Sequence, residues 1–371
     1  GCMAPQTLCL CGNRLVWADG LGAVYAMMHG SAFNGFSVRE VSSLIAPCLA
    51  DIDAAAWKKA SGAVYEGYYL LHSGTTVYAL RLDERAFRSY AGSGDDSTEK
   101  LLLEYPDGSL VESVLMRQAY GGSVCVSTQV GCAMGCAFCQ SGRLKKRRSL
   151  TAGEIMAQVM KIRRECSADI HSVTVMGIGE PFDNFDAVRD FCANCVDYKA
   201  LALGEKHVTV STCGIIPGIR AWTELPHPCS LAVSLHAADY ALRSEIMPVN
   251  RRYPVREVIA AAREFARLHN RRVTLEYVML SGVNDSPEQA EELAGLVGYG
   301  AQGREFYVNI IPYNGNDSGF TRSSRERIMA FYDVLKKRGV SVTMRREFGG
   351  DIAAACGQLS SLHSAECEKN C

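Results

Sequence analysis

The chain has 371 residues and a formal net charge of −1, with 48% hydrophobic and 21% charged residues. It exceeds one typical domain of about 100 to 200 residues and can bury a large core. No apolar run approaches the roughly 18 residues of a membrane span, and the N-terminal "GCMAPQTLCLCG" lacks the pattern of a signal peptide. We therefore expect a cytoplasmic protein with no membrane partner. The near-neutral charge gives no overall argument for nucleic acid binding.

Residues 1–98 predict a small N-terminal accessory domain of the α+β type, with RNA binding as one possible role. The segments differ in their periodicity, which distinguishes helix from strand. In chain order they are an irregular apolar stretch over 21–36, a helix over 37–60, strands over 63–82, a linker or long turn over 90–100, and a hairpin over 100–116 that turns at 106–108.

Residues 99–345 alternate six short β-branched runs with amphipathic helices, a pattern typical of a parallel sheet covered by helices. The predicted strands are 123–130, 171–179, 206–214, 229–237, 272–280 and 305–313. The predicted helices are 151–166, 184–200, 216–225, 255–270, 286–299 and 323–338. The simplest α/β fold with this order is an incomplete (β/α)6 barrel, followed here by a C-terminal extension over 346–371.

Residues 127–142 read "STQVGCAMGCAFCQSG" and place Cys132, Cys136 and Cys139 in CxxxCxxC spacing. One interpretation is a zinc site that takes a fourth ligand from elsewhere, or simply a group of reduced thiols. The other is a [4Fe–4S] cluster with one open iron. S-adenosylmethionine can chelate an open iron and, after receiving one electron, yields a 5′-deoxyadenosyl radical.

Small or polar residues follow the predicted strands, where ligands bind in parallel α/β barrels. The cysteines follow the first strand, and "GIGEP", "STCG", "SLHA" and "IPYN" follow the second, third, fourth and sixth. Any one of these ends is commonplace because Gly, Ser and Pro occur in most turns. Their coincidence at one edge of the sheet, together with Phe138 before the third cysteine, resembles the radical S-adenosylmethionine superfamily.

Eight motifs narrow the resemblance to the RlmN and Cfr family of RNA adenosine methyltransferases, and they span about residues 100 to 360. In chain order the motifs are "VESVL", "CVSTQVGCAMGCAFC", "GIGEPFDN", "VTVSTCG", "LAVSLHA", "MPVN", "NIIPYN" and "GGDIAAACGQL". The resemblance implies a radical S-adenosylmethionine barrel over 99–345 and a C-terminal segment over 346–371 that carries a methyl-acceptor cysteine.

The resemblance also implies roles for particular residues. The cluster ligands would be Cys132, Cys136 and Cys139. The residues in contact with S-adenosylmethionine would be Gly179, Glu180, Ser211, Ser234, Leu235, His236 and Asn314. Cys356 would accept the methyl group, Cys125 would resolve the covalent intermediate, and Glu112 would be the general base. Without the resemblance, a cysteine on an apolar strand is usually a core residue, and serines at strand ends usually bond to the backbone.

The chemistry of adenine explains why such residues are needed. Its C2 and C8 carbons are too weakly nucleophilic to take a methyl group from a sulfonium by displacement. A thiolate at Cys356 can take that methyl group, and a radical made from a second S-adenosylmethionine can then activate it for addition to the base. Proton loss to Glu112 and attack by Cys125 on the Cys356 sulfur would release the methylated base and leave a disulfide.

The expected substrate is an adenosine of 23S rRNA, and tRNA is a further candidate. We favour methylation at C2, as in RlmN. The alternatives are C8 methylation of the same adenosine, as in Cfr, and a radical enzyme of the same lineage with a substrate other than RNA. The basic run "RLKKRR" at 143–148 follows the thiols and is a candidate phosphate contact, although most basic runs are only solvated. Further expectations are a one-electron reductant such as flavodoxin or ferredoxin, and a monomer.

Overall fold

The computed structural model describes residues 98–345, except 106, 119–120, 199, 300–303 and 316–317, together with the backbone of eight strands between residues 9 and 93. The predicted C-terminal segment over 346–371, which includes Cys356, lies outside the described residues. The chain divides into two compact units. One comprises residues 1–87 with 197–202, and the other comprises 88–196 with 203–371.

The first unit contains two antiparallel sheets. Strands β1 to β4 form one sheet in sequence order, and strands β5 to β7 form the other. Their bounds are β1 Cys9–Cys11, β2 Arg14–Ala18, β3 Val24–His29, β4 Phe36–Glu40, β5 Ser61–Tyr65, β6 Tyr68–Ser73 and β7 Thr76–Arg81. The predicted strands over 63–82 are therefore confirmed as consecutive hairpin strands.

Two predictions in this part of the chain are wrong. The helix expected from residue 37 does not begin there, because Phe36–Glu40 pairs with β3 along its whole length. Backbone pairing with a partner strand outweighs the local helical pattern of these residues. The linker expected over 90–100 is occupied at both ends by β8 (Arg88–Ser93) and β9 (Thr98–Glu104), which pair with each other.

The second unit is organised around a ten-stranded sheet, in the order β19-β18-β17-β16-β15-β14-β11-β10-β9-β8. Strands β8 to β11 pair antiparallel, and β11 then begins a parallel series that continues to β19. Beyond β8 and β9 the bounds are β10 Leu110–Gln118, β11 Gly121–Cys125, β14 Ile170–Val175, β15 Val208–Thr212, β16 Ser230–Ser234, β17 Val273–Met279, β18 Phe306–Pro312 and β19 Val342–Met344. A two-residue pair, β12 (Gln129–Val130) with β13 (Arg148–Ser149), brackets the thiol segment.

The described connections between the parallel strands carry the six predicted helices and one further helix. They are α1 (Ala152–Glu165), α2 (Phe185–Val196), α3 (Ile216–Thr223), α4 (Tyr240–Ile246), α5 (Val255–Leu268), α6 (Pro287–Val297) and α7 (Arg325–Lys337). Capping boxes at Thr151 and at Ser286 fix the starts of α1 and α6. No helix in the described residues is both long and apolar enough to cross a bilayer.

The short helix α4 and the strand β19 were not predicted. Helix α4 has seven residues, and its buried side chains include Arg243 and Ser244, so it shows no apolar period. It begins instead at Asp239, whose side chain accepts a hydrogen bond from the Leu242 amide. Cap chemistry and tertiary contacts, rather than an apolar stripe, therefore define this helix.

Strand register assigns side chains to the two faces of the sheet. Val114 on β10 lies opposite Cys125 on β11, and Met116 lies opposite Ser123. Because side chains alternate along a strand, Glu112 shares the face of Cys125. The opposite face packs against α1, where Ser113 Oγ donates to Gln158 Oε1 at 2.8 Å. We call the Cys125 side the inner face.

Candidate active site

The three predicted cluster cysteines share one loop that follows β12. All three are free thiols with intermediate exposure. The Cys139 amide donates to the Cys136 carbonyl at 3.1 Å, and the Cys132 amide donates to the Leu144 carbonyl at 2.9 Å. The loop therefore has a defined backbone course that leaves three thiols partly open.

Contacts from the end of one helix and from two other strand ends hold this thiol loop. The Ala137 amide donates to the carbonyl of Ile246, at the end of α4. Phe138 packs edge-on against the ring of His236, with 4.9 Å between centroids. The hydroxyl of Tyr313, which follows β18, donates to the Phe138 carbonyl at 3.2 Å. The residue before the third cysteine thus joins the loop to "SLHA" and "IPYN".

The thiol loop fits a multi-iron cluster in its donor chemistry. Burial raises the pKa of Cys132 to about 11, and the neighbouring Cys139 thiol also raises it. Burial likewise raises the pKa of Cys136, as do the other two thiols. Three close thiolates repel one another unless a cation lies among them, and a cluster supplies that positive charge.

The described residues do not form a mononuclear metal site. No three His, Cys, Asp or Glu side chains among them come together in the arrangement that holds a single metal ion. In a [4Fe–4S] cluster each thiolate binds its own iron, so the three sulfur atoms need not converge on one point.

The segment containing Gly179 and Glu180 packs tightly against the chain that follows β11. Gly179 has a φ of 110°, and a Cβ there would lie 2.7 Å from Cβ of Gln129. The buried Glu180 carboxylate accepts hydrogen bonds from the Thr212 hydroxyl and from the amides of Cys213 and Phe182, at 2.7 to 3.0 Å. Burial raises the pKa of Glu180, and these donors oppose the shift. Its carboxylate thus ties "GIGEP" to "STCG".

Arg243 on α4 connects two of the predicted cofactor motifs. Its guanidinium is fully buried and donates to the carbonyls of Leu235, Ser234 and Cys213 at 2.8 to 3.1 Å. It also donates to Asn250 Oδ1 at 2.9 Å, within "MPVN". Burial lowers the pKa of Arg243 to about 10. One buried cation therefore fixes the backbone of the strand ends that carry Ser211 and Ser234.

The predicted contacts on β15 and β16 lie together. The hydroxyls of Ser211 and Ser234 are 3.5 Å apart, and Leu235 is fully buried. His236 has a φ of 59°, and its Nδ1 accepts a hydrogen bond from the Val278 amide at 3.0 Å. Burial lowers the pKa of His236 to about 3, so the ring is neutral at physiological pH. Asn284 stabilises this turn because its amide donates to the His236 carbonyl.

Asn314 follows β18 directly after Tyr313, and its side chain is partly exposed. It therefore lies at the same strand-end edge as the other predicted contacts. Cys356, the predicted methyl acceptor, lies outside the described residues.

Glu112 and Cys125 lie on the inner face, on neighbouring strands. Glu112 is 3% exposed, and its Oε2 lies 2.7 Å from the ammonium of Lys100 on β9. Burial raises the pKa of Cys125, while a hydrogen bond with Thr174 and the positive charge of Arg345 oppose that shift. A carboxylate and a thiol are thus held on the same surface of two paired strands.

A cavity of about 300 Å³ opens on the inner face. Its lining includes Met116, Ser123, Thr174, Glu276, Asn309 and Arg345. Asn309 Nδ2 donates to Glu276 Oε2 at 2.8 Å, and burial raises the pKa of Glu276. The cavity therefore combines apolar methionine surface with hydrogen-bonding groups beside the strands that carry Cys125 and Glu112.

Ser127 links the inner-face strands to the glycine motif. Its hydroxyl donates to the Glu112 carbonyl at 2.6 Å and accepts from the Ile178 amide at 2.9 Å. Gln158, buried on α1, bonds to both backbone groups of Ser127 at 2.8 Å. Gln158 was missed in the sequence, although a polar residue at a core-facing position of a helix is a recognisable signal.

The basic run at 143–148 divides into two sets. Lys146 pairs with Asp183 at 2.6 Å, and Arg148 pairs with Asp107 and Glu154 at 2.6 and 2.9 Å. The alternate residues Arg143, Lys145 and Arg147 are exposed. Part of this run therefore stabilises the fold, and three cations beside the thiol loop face solvent.

Comparisons with known proteins agree with this site. Residues 126–294 match the model of the Radical SAM superfamily. Over 273 residues the chain is 50% identical to the Enterococcus faecalis "Probable dual-specificity RNA methyltransferase RlmN", covering 72% of this chain and 76% of that protein. A Streptococcus mutans protein of the same name is 52% identical over 274 residues, with 72% and 75% covered.

A solved structure gives the same result for the fold. The crystal structure of a radical SAM methyltransferase from Sphaerobacter thermophilus is 42% identical, with a TM-score of 0.70 over 75% of this chain and 82% of that chain. The fold and the thiol loop thus define a protein of the radical S-adenosylmethionine class. Within that class, the chain belongs to the RlmN and Cfr family of RNA methyltransferases.

Proposed function

We propose that this protein methylates an adenosine of RNA, through a methyl-cysteine on Cys356 and a 5′-deoxyadenosyl radical. The observation that carries the proposal is the placement of Glu112 and Cys125 on one inner face, on neighbouring strands whose residues Met116 and Ser123 line the cavity. A carboxylate and a thiol on one face suit the removal of a proton and the resolution of a thioether on one substrate. The motifs at the strand ends support the same chemistry.

In this proposal Cys132, Cys136 and Cys139 hold a [4Fe–4S] cluster, and the motifs that contain Gly179, Glu180, Ser211, Ser234, Leu235, His236 and Asn314 hold S-adenosylmethionine. Two molecules of S-adenosylmethionine are used in each turnover. When bound, this pair of cofactors supplies one-electron chemistry, both the radical that activates the methyl group and an acceptor for the electron left over. Because the Glu180 carboxylate is already bonded within the protein, the backbone of 177–180 is the part of "GIGEP" that we assign to the ligand.

The protein's own residues then act in sequence. The Cys356 thiolate takes the first methyl group by displacement. After the activated methylene joins the base, the Glu112 carboxylate accepts the proton from the ring carbon. The Cys125 thiolate attacks the Cys356 sulfur, so that an S–S bond forms as the S–CH2 bond breaks, and the methylene carbon takes a proton to become the product methyl group. The cavity is lined by Thr174, the strand partner of Cys125, and offers room for the base on this face.

The proposed substrate is 23S rRNA, with methylation at C2 and with tRNA as a second substrate. The relatives named RlmN and their description as dual-specificity support this choice. C8 methylation uses the same residues and is the alternative outcome of the test below. Arg143, Lys145 and Arg147 are the cations that we assign to the RNA backbone. A small one-electron donor of the flavodoxin or ferredoxin type supplies the reductant, and the cytoplasm is the compartment implied.

We also propose that the parallel strands β11 and β14 to β18 form an incomplete barrel that encloses the inner face. Residues 1–98 would be an accessory domain for RNA, 99–345 the radical core, and 346–371 the segment that brings Cys356 to Cys125. Truncation after residue 345 tests the last assignment, because the shortened protein should still cleave S-adenosylmethionine but should transfer no methyl group.

Mass spectrometry of nucleosides tests the proposed function directly. The anaerobically reconstituted enzyme, a reductant and S-adenosylmethionine are incubated with rRNA or with tRNA that lacks the modification. We expect 2-methyladenosine from rRNA. If 8-methyladenosine forms instead, the position is wrong and the mechanism stands. If S-adenosylmethionine is cleaved and neither RNA gains a methyl group, the substrate class is wrong.

A further inference from the structure

Glu276 and Asn309 form a polar pair on the inner face that the proposed mechanism does not use. Asn309 Nδ2 donates to Glu276 Oε2 at 2.8 Å, and both side chains line the cavity of about 300 Å³. We infer that Asn309 recognises the target base through the edge of adenine that carries N6 and N7, and that Glu276 is the positioning residue that orients the Asn309 amide. This inference rests on the proposed function and names the residues by which that function selects adenine.

Strand register places this pair beside the proposed cofactor contacts. Ser234 on β16 lies opposite Glu276 on β17, and Glu276 lies opposite Asn309 on β18. The Glu276 carbonyl accepts hydrogen bonds from the amides of Leu235 and His236 at 3.0 and 3.3 Å. The pair is therefore attached directly to the strand end that carries "SLHA".

The cavity also borders the strand that carries Cys125. Ser123 on β11 and Thr174, the strand partner of Cys125 on β14, line it together with Asn309. Strands β14 and β18 are four places apart in the sheet, which would separate them by about 19 Å if the sheet were flat. Because one cavity touches both strands, the sheet curves around it. A base in this cavity would have Asn309 on one side and the Cys125 strand on the other.

The hydrogen bond to Glu276 determines which atoms Asn309 presents to a ligand. One hydrogen of Nδ2 is directed to the carboxyl group, so the other hydrogen and the carbonyl oxygen Oδ1 remain. Within the part of the chain that the structure describes, Oδ1 accepts no hydrogen bond, and the side chain is partly exposed. This carboxamide edge matches adenine, whose N6 amino group donates and whose N7 accepts. Guanine presents two acceptors, N7 and O6, and would oppose Oδ1 with another acceptor.

Recognition of the N6 and N7 edge agrees with methylation at C2. In adenine, C8 lies beside N7, whereas C2 lies across the ring, between N1 and N3. A base held at Asn309 through N6 and N7 therefore turns C2 toward the wall of the cavity formed by the Cys125 strand. Met116 and Met176 line the same cavity and offer apolar, polarisable surface to the ring.

The cost of burial argues against a merely space-filling role for this pair. A carboxyl group and an amide taken out of water cost free energy that one mutual hydrogen bond only partly recovers. Valine or isoleucine at both positions would pair across the two strands and has a higher strand propensity. Burial raises the pKa of Glu276, while the positive charge of Arg345, which also lines the cavity, opposes that shift. Polar groups directed into a cavity with apolar surface are typical of a binding site.

The test compares variants of the full-length, cluster-loaded enzyme on rRNA fragments that differ in one base. The fragments carry adenosine, 7-deazaadenosine or purine riboside at the methylated position, so that N7 or the N6 amino group is removed singly. Asn309→Ala removes the recognition edge, and Glu276→Met leaves Asn309 without its orienting partner. Thr343→Val is the matched control, because Thr343 lies opposite Asn309 on β19 but does not line the described cavity. Formation of 5′-deoxyadenosine checks that each variant is folded and active in radical formation.

Methyl incorporation in a single turnover is measured for each enzyme with each RNA. We expect the rate ratios of adenosine to 7-deazaadenosine and of adenosine to purine riboside to be about tenfold smaller in Asn309→Ala than in the wild type. The intrinsic reactivity of each ring cancels, because it is common to the two enzymes. Glu276→Met should reduce both ratios by a smaller factor, and Thr343→Val should retain them. Equal ratios in Asn309→Ala and wild type would overturn the inference, and a change confined to purine riboside would overturn the assignment of N7.

S-adenosylmethionine carries an adenine of its own, so its binding is measured separately. We expect its dissociation constant to be the same in Asn309→Ala and wild type. Weaker binding of S-adenosylmethionine with unchanged RNA ratios would mean that the cavity holds the adenine of the cofactor, and the inference would fail.

Affinity for the three RNA fragments gives a readout that does not depend on turnover. The wild type should prefer the adenosine fragment, and Asn309→Ala should lose that preference while Thr343→Val keeps it. The same affinity ratios in Asn309→Ala and wild type would count against recognition by Asn309. If the wild type transfers no methyl group to RNA but shows the Asn309-dependent preference, the proposed function fails and the recognition of adenine remains.

Discussion

The thiol loop and the inner-face strands hold reactive groups in opposite ways. Cys132, Cys136 and Cys139 lie on irregular backbone that is fixed from outside, through Ile246, Phe138 and Tyr313. Glu112, Cys125 and Lys100 lie on three paired strands, where register alone sets their neighbours. Three partly exposed thiols are suited to receive a large inorganic group. The strand residues are suited to a fixed relation between a base and a nucleophile.

Removal of one side chain should therefore have different consequences on the thiol loop and on the inner-face strands. On the strands, the backbone keeps its place when a side chain is shortened, so that a single chemical step is lost. On the loop, each side chain is itself the means by which the bound group is held.

Replacement of any one of Cys132, Cys136 or Cys139 by Ala should abolish the reductive cleavage of S-adenosylmethionine. In a [4Fe–4S] cluster each thiolate binds a separate iron, so the loss of one thiol leaves one iron without its ligand. Iron content and 5′-deoxyadenosine are the measurements, with about four irons per chain expected in the parent protein. Cys166→Ala is the matched control, because Cys166 is also free and partly exposed. Stoichiometric zinc without iron in fresh protein would refute the cluster.

Cys125→Ala and Cys356→Ala should give different RNA products on a denaturing gel. The first leaves methyl transfer and addition to the base intact and blocks resolution, so that RNA stays attached to the protein under denaturing conditions. The second removes the methyl acceptor, so that no adduct and no methylated RNA form. Free methylated RNA from Cys125→Ala at the normal rate would show that the resolving role is wrong. Methylation by Cys356→Ala would contradict the whole mechanism.

Arg243→Met should lower the free energy of unfolding by about 3 to 5 kcal/mol, because it leaves several buried carbonyls without their donor. Arg243 bonds to Leu235, Ser234, Cys213 and Asn250. Urea unfolding of the variant, followed anaerobically, measures the loss. Arg267→Met is the control: the Arg267 side chain is 69% exposed, and loss of its ion pair with Glu305 should cost less than about 1 kcal/mol. Equal losses of unfolding free energy in the two variants would show that Arg243 does not stabilise the strand-end motifs.

His236 should make the protein less stable as the pH falls. Its pKa is about 3 in the folded state and about 6.5 when unfolded, so the unfolded state binds the extra proton between those values. About 2 kcal/mol of unfolding free energy should therefore be lost between pH 7 and pH 5. Comparison with His236→Gln across that range isolates the contribution of His236 to this loss, since the variant lacks the titrating ring. An identical slope in the two proteins would mean that the pKa of His236 is the same in the folded and unfolded states.

Reversal of the exposed charges Lys145 and Arg147 to Glu should weaken RNA binding and reduce its salt slope by about 2. Iron content should not change, because neither side chain contacts a thiol ligand in the described structure. Arg163→Glu with Arg164→Glu is the control, since these exposed cations lie in the last turn of α1, at the other end of that helix from the thiol loop. If reversal of Lys145 and Arg147 does not change the salt slope of RNA binding, these cations do not contact RNA and are only solvated.

Much of the candidate site was predictable because its position follows from topology. The carboxyl ends of parallel strands meet at one edge, so "GIGEP", "STCG" and "SLHA" were expected to lie together, and the described contacts join them. Lys100 and Arg243 were missed because a lone cation in a sequence normally indicates a solvated surface. Their burial depends on partners distant in the chain or on an unpredicted helix, which local periodicity does not report.

The basic run at 143–148 also shows what a local sequence pattern fails to predict. Its six residues predict one positive patch, whereas the structure uses Lys146 and Arg148 in ion pairs and leaves the alternate residues exposed. The acidic partners of Lys146 and Arg148, Asp183 and Asp107, lie far away in the chain, so the local sequence does not report these ion pairs. The error at residues 37–40 has a related origin, because pairing with β3 is a non-local property.

The hydroxyl of Ser127 restricts which sequences this fold can accept. It donates to the Glu112 carbonyl and accepts from the Ile178 amide, and both groups are far from bulk water. An alanine at this position would leave a donor and an acceptor unsatisfied at once. The adjacent Gly177 is restricted by the same hydroxyl, because a Cβ there would lie only 2.7 Å from the Ser127 Oγ. Position 127 therefore tolerates very little substitution, although its side chain need never touch substrate or cofactor.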